Sequence, residues 1–473
     1  MTARRSRSVL ATAAYGTFLV LVAYTVPMTT LTPTAVGLHA GPTAQTWVLT
    51  GTLVGLSALL LAAGSLADDR GRKRVFTAGA VLLVLSSAVA AAAPTVAVFL
   101  AARVVQGAAS AALLAPSLGL IGEAYPGGPA RVRALGVWGA AVGLGIAVGP
   151  VYAALAEQWL GWRAVYWGLA ALAALLVVVA VAGLDESRAA TPRRIDLPGV
   201  LTLGNGTAAL IAGLAEGRYG WGRPIVLVLL AVGILLLVAF AFVEAHTAEP
   251  ILDLRLFRDP GFVAATGGAL FTGLAIVGLM SCLPSALQRA LGLSSLAASG
   301  VLAIWSGLSV AAALQARRLA DRIGGIAQLA IGLLICGVGE VALLGLRPDD
   351  SWLRLVPGLA VAGVGSGILN AALGRLAVTS VPAHRAAMGS GANNTARYLG
   401  SSLGVAVTVT LMGLGGPATA RAAADGTNHA VLAATALCAL GAAGALVARA
   451  AQRRGRARAA AEAEPQPAVE LLR

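Results

Sequence analysis

The chain has 473 residues, of which 58% are hydrophobic and only 11% charged, with a mean hydropathy of +0.83. Soluble domains carry roughly 25% charged residues, so composition excludes an ordinary soluble globule and intrinsic disorder, and three cysteines inside apolar runs exclude a secreted disulfide scaffold. The net charge of +14 is confined to short segments between apolar runs, which points to membrane topology and away from nucleic acid.

A helix needs about 20 apolar residues to cross roughly 30 Å of hydrocarbon. In chain order the sequence predicts fourteen spans, at 9–32, 47–67, 75–93, 96–121, 134–156, 164–184, 197–215, 224–243, 261–283, 295–315, 325–346, 353–380, 387–413 and 428–449. The first is too long for the apolar core of a cleaved signal peptide. With the N-terminus placed in the cytoplasm and the span-end residues Arg354 and Arg449 counted with their flanking segments, 24 Lys and Arg fall in cytoplasmic segments and 7 in outer ones. That bias orients the chain with both termini cytoplasmic. The polar tail 450–473 is expected to be disordered and cytoplasmic, and the short 1–8 segment to be cytoplasmic.

Leu66-Ala67-Asp68 recurs as Leu319-Ala320-Asp321, and Arg133-Ala134 recurs as Arg385-Ala386, at offsets of 253 and 252 residues. The copies occupy matching topological positions. They predict a six-helix unit used twice, 9–184 and 261–449, separated by 185–260 with two inserted spans. Parallel repeats of this kind are a recurring transporter architecture.

The loop after the second span reads Gly64-Ser65-Leu66-Ala67-Asp68-Asp69-Arg70-Gly71-Arg72-Lys73-Arg74. It resembles the signature loop of the major facilitator superfamily, departing at Asp69, where a basic residue is usual. The resemblance implies an all-α fold of two six-helix bundles, and a latch at Gly64, Asp68, Gly71 and Arg72 that holds the halves in the outward-facing state. Span four carries Arg103, Gln106, Gly107 and Ser110 on one face. This stripe is expected to face a cavity, and it is similar to the family's R-x-x-Q-G element. Arg103 and Gln106 are read there as a proton relay, or equally as a structural arginine bonded to backbone carbonyls. Gly145, Gly149 and Pro150 in span five permit close helix packing and resemble the family's antiporter element, which implies export. Asp196-Leu197-Pro198-Gly199, with Asp196 as N-cap, and the Asn393-Asn394-Thr395 run add a resemblance to the fourteen-helix drug:proton antiporter, or multidrug efflux, branch.

Two departures bear on chemistry. Tyr24 stands near the place where many branch members carry an acid in the first span, and that span has no carboxylate. Glu340 lies well inside span eleven, either as a site of reversible protonation or as a carboxylate near the outer surface paired with a cation. Asn370, Asn394 and Arg397, with Tyr24, are the candidate cavity wall. Arg397 would bind an anionic or carbonyl-rich substrate, or tie the halves together.

No metal-ligand spacing and no nucleotide-binding glycine loop appears, so no cofactor, metal or catalytic residue is assigned and an enzyme is not expected. The expected partners are a small-molecule substrate, protons and the lipid bilayer of the bacterial inner membrane, with no nucleic acid and a monomeric chain. The expected activity is export of small, fairly apolar, drug-like molecules in exchange for protons. An uptake or facilitative carrier on the same fold is the alternative. A membrane-embedded enzyme or receptor ranks below both, because the chain shows neither a convergent catalytic cluster nor an appended soluble domain.

Overall fold

The computed structural model describes residues 3–188, 196–217, 219–247, 250, 252–316, 319, 322–382, 385–413 and 419–463. Arg193, Arg194, Ala320, Asp321 and residues 464–473 lie outside the described residues. So the second copy of the Leu-Ala-Asp repeat is not described.

The described helices are α1 (Ala3–Gly37), α2 (Pro42–Arg70), α3 (Arg72–Ala92), α4 (Val96–Ala124), α5 (Gly128–Leu160), α6 (Trp162–Gly183), α7 (Leu197–Gly217) and α8 (Pro224–His246). They continue as α9 (Pro260–Leu291), α10 (Ser295–Gln315), α11 (Gly325–Val341), α12 (Val356–Thr379), α13 (Ala386–Gly413) and α14 (Ala420–Ala463). α9 is one rod with a π-helical turn, Thr272–Val277, at its middle. Local chemistry sets several starts. Thr95 caps α4 by accepting from the Val98 N–H, Ser294 caps α10 through Ala297, and Asp259 precedes Pro260 and accepts from Phe262. Asp196 accepts from the Gly199 N–H at 2.9 Å, as the sequence predicts for the opening of α7.

Among the described residues, twelve helices are long and apolar enough to cross a membrane, where the sequence reading expects fourteen spans. The other two are α11, which ends at Val341 after 17 residues, and α13, whose 28 residues carry Asn393, Asn394, Thr395 and Arg397. The ends differ as well. α14 runs for 44 residues to Ala463, through a stretch expected to be disordered. That stretch is rich in Ala and Arg, both strong helix formers. At about 1.5 Å per residue the whole of α14 is about 66 Å long, roughly twice the hydrocarbon core.

The apolar core divides in two. One cluster is built mainly on α1–α6, including Leu19, Phe76, Phe99, Leu113 and Tyr166; the other on α9–α14, including Leu279, Leu329, Leu359 and Val431. Helix pairings repeat between them. α2 packs on α4 as α10 does on α12, α3 on α4 as α11 on α12, α3 on α6 as α11 on α14, and α1 on α5 as α9 on α13. The bundles meet along two seams, α5 against α10 and α2 against α13. α7 and α8 pack on each other, and α7 lies against both α2 and α13. A third cluster, with Leu61, Leu203, Phe240, Phe262 and Met388, fills that junction.

Candidate functional site

The signature loop forms the end of the α2–α13 seam. Gly71 joins α2 to α3 at φ 124°, a backbone conformation that side chains with a Cβ rarely adopt. One turn earlier, beyond Gly64, Asp68 is buried. Its Oδ1 accepts from Arg72 Nε at 2.9 Å and from Nη2 at 2.8 Å. Arg72 Nη1 donates on to Glu123 Oε2 at 2.9 Å and to the Gly119 carbonyl at 3.3 Å, tying the loop to α4. The other oxygen, Asp68 Oδ2, accepts from the Met388 backbone N–H in the first turn of α13 at 3.1 Å. The loop is also laced from behind. Arg72 N–H donates to the Ser187 carbonyl and Lys73 N–H to Glu186 Oε1. Asp69, the departure from the family pattern, accepts from Ser65 Oγ at 3.3 Å. Sequence reasoning placed Asp68 beside cations at a helix end. It gave no signal for Glu123 or Met388 as partners.

Arg103 is fully buried. Its Nη1 donates to the Ala23 carbonyl of α1 at 3.0 Å and to Gln106 Oε1 at 2.7 Å, and Gln106 Nε2 donates to Ser87 Oγ of α3 at 2.8 Å. These bonds run inside the first bundle, joining α4 to α1 and α3. The expected cavity-facing stripe therefore has its polar partners within one bundle. A buried guanidinium needs such acceptors, because burying an unpaired charge is costly.

Gly145 and Gly149 set the α1–α5 crossing. A Cβ on Gly145 would stand 2.7 Å from the Phe18 carbonyl oxygen and from Leu21 Cβ, and Gly149 faces Thr25. Thr29 Oγ1 donates to the Pro150 carbonyl at 3.3 Å. Pro150 in turn borders a cavity between the bundles, walled by Tyr24, Met28, Ile146, Met280, Ser281, Leu302 and Trp305. Its volume is about 20 Å³, room for about one water, whereas drug-sized ligands need about 300 Å³ or more. The interior is closed at this level.

Tyr24 lies at that closure. Its hydroxyl is 3.5 Å from Ser281 Oγ on α9, and its ring meets Tyr398 of α13 edge-on at 6.4 Å between centroids. Next to Tyr398, Arg397 Nη2 donates to Asn370 Oδ1 of α12 at 2.7 Å. Asn394 Nδ2 turns back to the Ser390 carbonyl at 3.0 Å, within its own helix. Arg397 and Asn370 thus meet between α13 and α12, and Tyr24 of α1 reaches the neighbouring Tyr398, while among the described residues Asn394 bonds within its own helix. The sequence carried no signal for Tyr398 or Ser281 as partners.

Glu340 is elsewhere. It is fully buried on α11 with its carboxyl toward the Cys438 thiol of α14, and among the described residues no cation pairs with it. The expectation of a surface carboxylate paired with a cation does not match this placement. α11 packs chiefly on α12 and α14, inside the second bundle. A separate groove of about 880 Å³ lies on the flank of the first bundle between α3 and α6, bordered by Lys73, Leu82 and Val181.

Two bundles with matching internal pairings, joined by a buried signature loop, are a fold with known relatives. The family model described as Major Facilitator Superfamily matches residues 13–405. The chain belongs to the major facilitator superfamily. It is a membrane transporter and not an enzyme. The multidrug resistance protein Stp of Mycobacterium tuberculosis is 30% identical to this transporter over 364 residues, covering 76% of this chain and 67% of Stp. The puromycin resistance protein pur8 of Streptomyces alboniger is 33% identical over 379 residues, covering 78% of this chain and 74% of pur8. The solved proton:xylose symporter XylE superposes with a TM-score of 0.65 at 15% identity, over 93% of this chain and 95% of that one, which shows the shared fold. Apolar helices and bacterial relatives make this major facilitator a multi-pass bacterial membrane protein.

Proposed function

We propose that this transporter exports small, fairly apolar, drug-like molecules across the inner membrane by alternating access, in exchange for protons and as a monomer. The observation that carries the reading is the bond from Asp68 to the Met388 N–H, which closes one end of the seam between two bundles able to swing apart. Two relatives, named for multidrug and puromycin resistance, support a drug-like cargo. The tight α1–α5 crossing at Gly145 and Gly149 supports the export direction through its likeness to the antiporter element.

The same reading takes α11 and α13 as spans, giving fourteen with both termini cytoplasmic. α13 is 28 residues long and runs beside α2 and α9, so its polar residues face protein. The bundles are then 9–184 and 261–449, with 185–260 as the insert.

Everted membrane vesicles test the proposal. Addition of a transported drug dissipates an imposed pH gradient, and loaded cells lose the drug faster than cells without the protein. No dissipation and no efflux for any drug removes the reading. The uptake or facilitative alternative is favoured by one observation, that Tyr24 occupies a first span with no carboxylate. Counterflow without pH dependence selects it.

A further inference from the structure

The meeting place of the bundles holds a cation and no countercharge. Arg397 is 6% exposed, on the helix of the second bundle that lies against α2 and α4 of the first. Asn370 accepts from its Nη2, its Nε has no acceptor among the described residues, and no described carboxylate forms an ion pair with it. Asn370 itself lies one turn from Gly374, where a Cβ would stand 3.3 Å from Trp138 of α5, so this polar pair sits where α12 faces the first bundle. The carboxylates nearest in chain or function are committed elsewhere. Asp68 is bound to Arg72 and Met388 at the end of the seam, and Glu340 is inside the second bundle facing Cys438. Tyr398, the chain neighbour of Arg397, meets Tyr24 edge to face, and the small cavity beyond Tyr24 is lined by Met280, Leu302 and Trp305 with no charged group.

A buried guanidinium without a countercharge is costly, and a planar oxyanion matches its fork of donors. Aromatic rings beside it accept the edge of another ring. Building on the transport reading above, we propose that the central site selects aromatic organic anions, carboxylates or phenolates on a planar apolar body, with Arg397 as their counter-ion. In the closed state Asn370 Oδ1 holds the fork in place. When the bundles part, the free Nε and the released Nη2 present two donors to the substrate oxyanion, and Tyr24 and Tyr398 flank its ring. A cationic drug meets an unbalanced positive charge at the same point.

Binding to the purified full-length transporter in nanodiscs tests this without relying on transport. Three dyes of similar size serve as probes at pH 7.5: fluorescein as the anion, rhodamine 123 as the cation and Nile red as the neutral body. Fluorescein binds about tenfold or more tighter than rhodamine 123. Arg397→Gln weakens fluorescein about tenfold, leaves Nile red within about twofold, and Arg397→Lys recovers part of the loss. Rhodamine 123 binding as tightly as fluorescein, or fluorescein binding indifferent to Arg397→Gln, overturns the proposal. Should Arg397→Gln not fold, Tyr24→Glu replaces it: a carboxylate placed at this closure shifts preference toward rhodamine 123, and an unchanged preference overturns the proposal. A preference for anions with no efflux of any drug would sink the exporter reading alone. Efflux of cationic drugs with no anion preference would sink this one alone.

Discussion

Asp68 Oδ2 accepts the backbone N–H of Met388 at 3.1 Å, 320 residues away along the chain. The donor belongs to the first turn of α13, where helix N–H groups have no partner within the helix and the helix end is electropositive. A carboxylate is the side chain that uses both properties. Met388 also places its side chain in the cluster shared with Leu203 of α7 and Phe240 of α8, so the inserted helices press on the same contact that joins the two bundles.

Asp68→Asn keeps the shape and removes the charge. It breaks the ion pair to Arg72 and leaves a weaker, neutral acceptor for Met388. Transport turnover is expected to fall about tenfold or more, a loss of roughly 1.4 kcal/mol in the step that needs the seam closed, while drug affinity stays within about threefold. Turnover in proteoliposomes and equilibrium drug binding separate the two. Equal loss of both counts against a latch.

The donor side gives an independent test. Met388 is in the first turn of α13, where a proline is tolerated. Met388→Pro removes the N–H that Asp68 uses, and Met388→Leu keeps it along with an apolar side chain. The proline variant is expected to reproduce the turnover loss of Asp68→Asn, and the leucine variant to transport at close to the normal rate. Combining Met388→Pro with Asp68→Asn should add little, because both act on one bond.

Within the first bundle, Gln106 is the side chain that accepts from Arg103, beside the Ala23 carbonyl. Gln106→Leu removes an acceptor from a fully buried guanidinium and a donor from Ser87. Hydrogen bonds to charged groups contribute about 1.5–3 kcal/mol, so the variant should lose about 2 kcal/mol or more of stability. A thermal melt of the purified protein in detergent reads this as a clear drop in midpoint. A midpoint unchanged from the parent would show that the Ala23 carbonyl alone suffices for Arg103 and that the Gln106 bond adds no stability.

Much of this arrangement was legible in the sequence because it is written in residue types. Charges near Gly71 mark the loop, apolar runs mark the helices, and an arginine inside a span demands acceptors. The missing parts are written in backbone or in long-range contacts. Any residue can supply the N–H that Met388 supplies, so no side chain announces it. The edge contact of Tyr24 with Tyr398 joins positions 374 residues apart that only the packed bundles bring together. Glu340 was visible as an acid inside a span, but α11 is largely apolar all round, and its sequence does not say which face meets α12 and which meets α14. The sequence reading counts two more spans than the plain apolar criterion does, because α11 is only 17 residues long and α13 mixes asparagines into its run, a composition a buried helix accepts and a lipid-facing one does not.

The α1–α5 crossing should be intolerant of one methyl group. Gly145→Ala puts a Cβ 2.7 Å from the Phe18 carbonyl, a backbone atom that cannot swing aside, whereas a Cβ at Gly300 meets nothing within 4 Å. Overpacking of this kind costs about 1–3 kcal/mol. Gly145→Ala is expected to lower both thermal stability and transport, and Gly300→Ala to leave both near normal. Comparable behaviour of the two variants would mean that α1 and α5 do not approach this closely during the transport cycle.

Glu340 offers the sharpest separation between burial and mechanism. Its carboxyl is enclosed by α11, α12 and α14 and faces the Cys438 thiol, away from both seams. A group so placed has no path to a substrate moving between the bundles. Glu340→Gln keeps the size and a hydrogen-bonding tip, and removes the acid. Drug efflux and drug-induced collapse of the pH gradient are both expected to stay within about twofold of the parent, and stability to stay level or rise by about 1 kcal/mol, since a buried acid is replaced by a neutral amide. The pair of measurements decides. If efflux down a drug gradient continues while the pH gradient no longer collapses, Glu340 carries the exchanged proton after all, and the proton route runs through the interior of the second bundle.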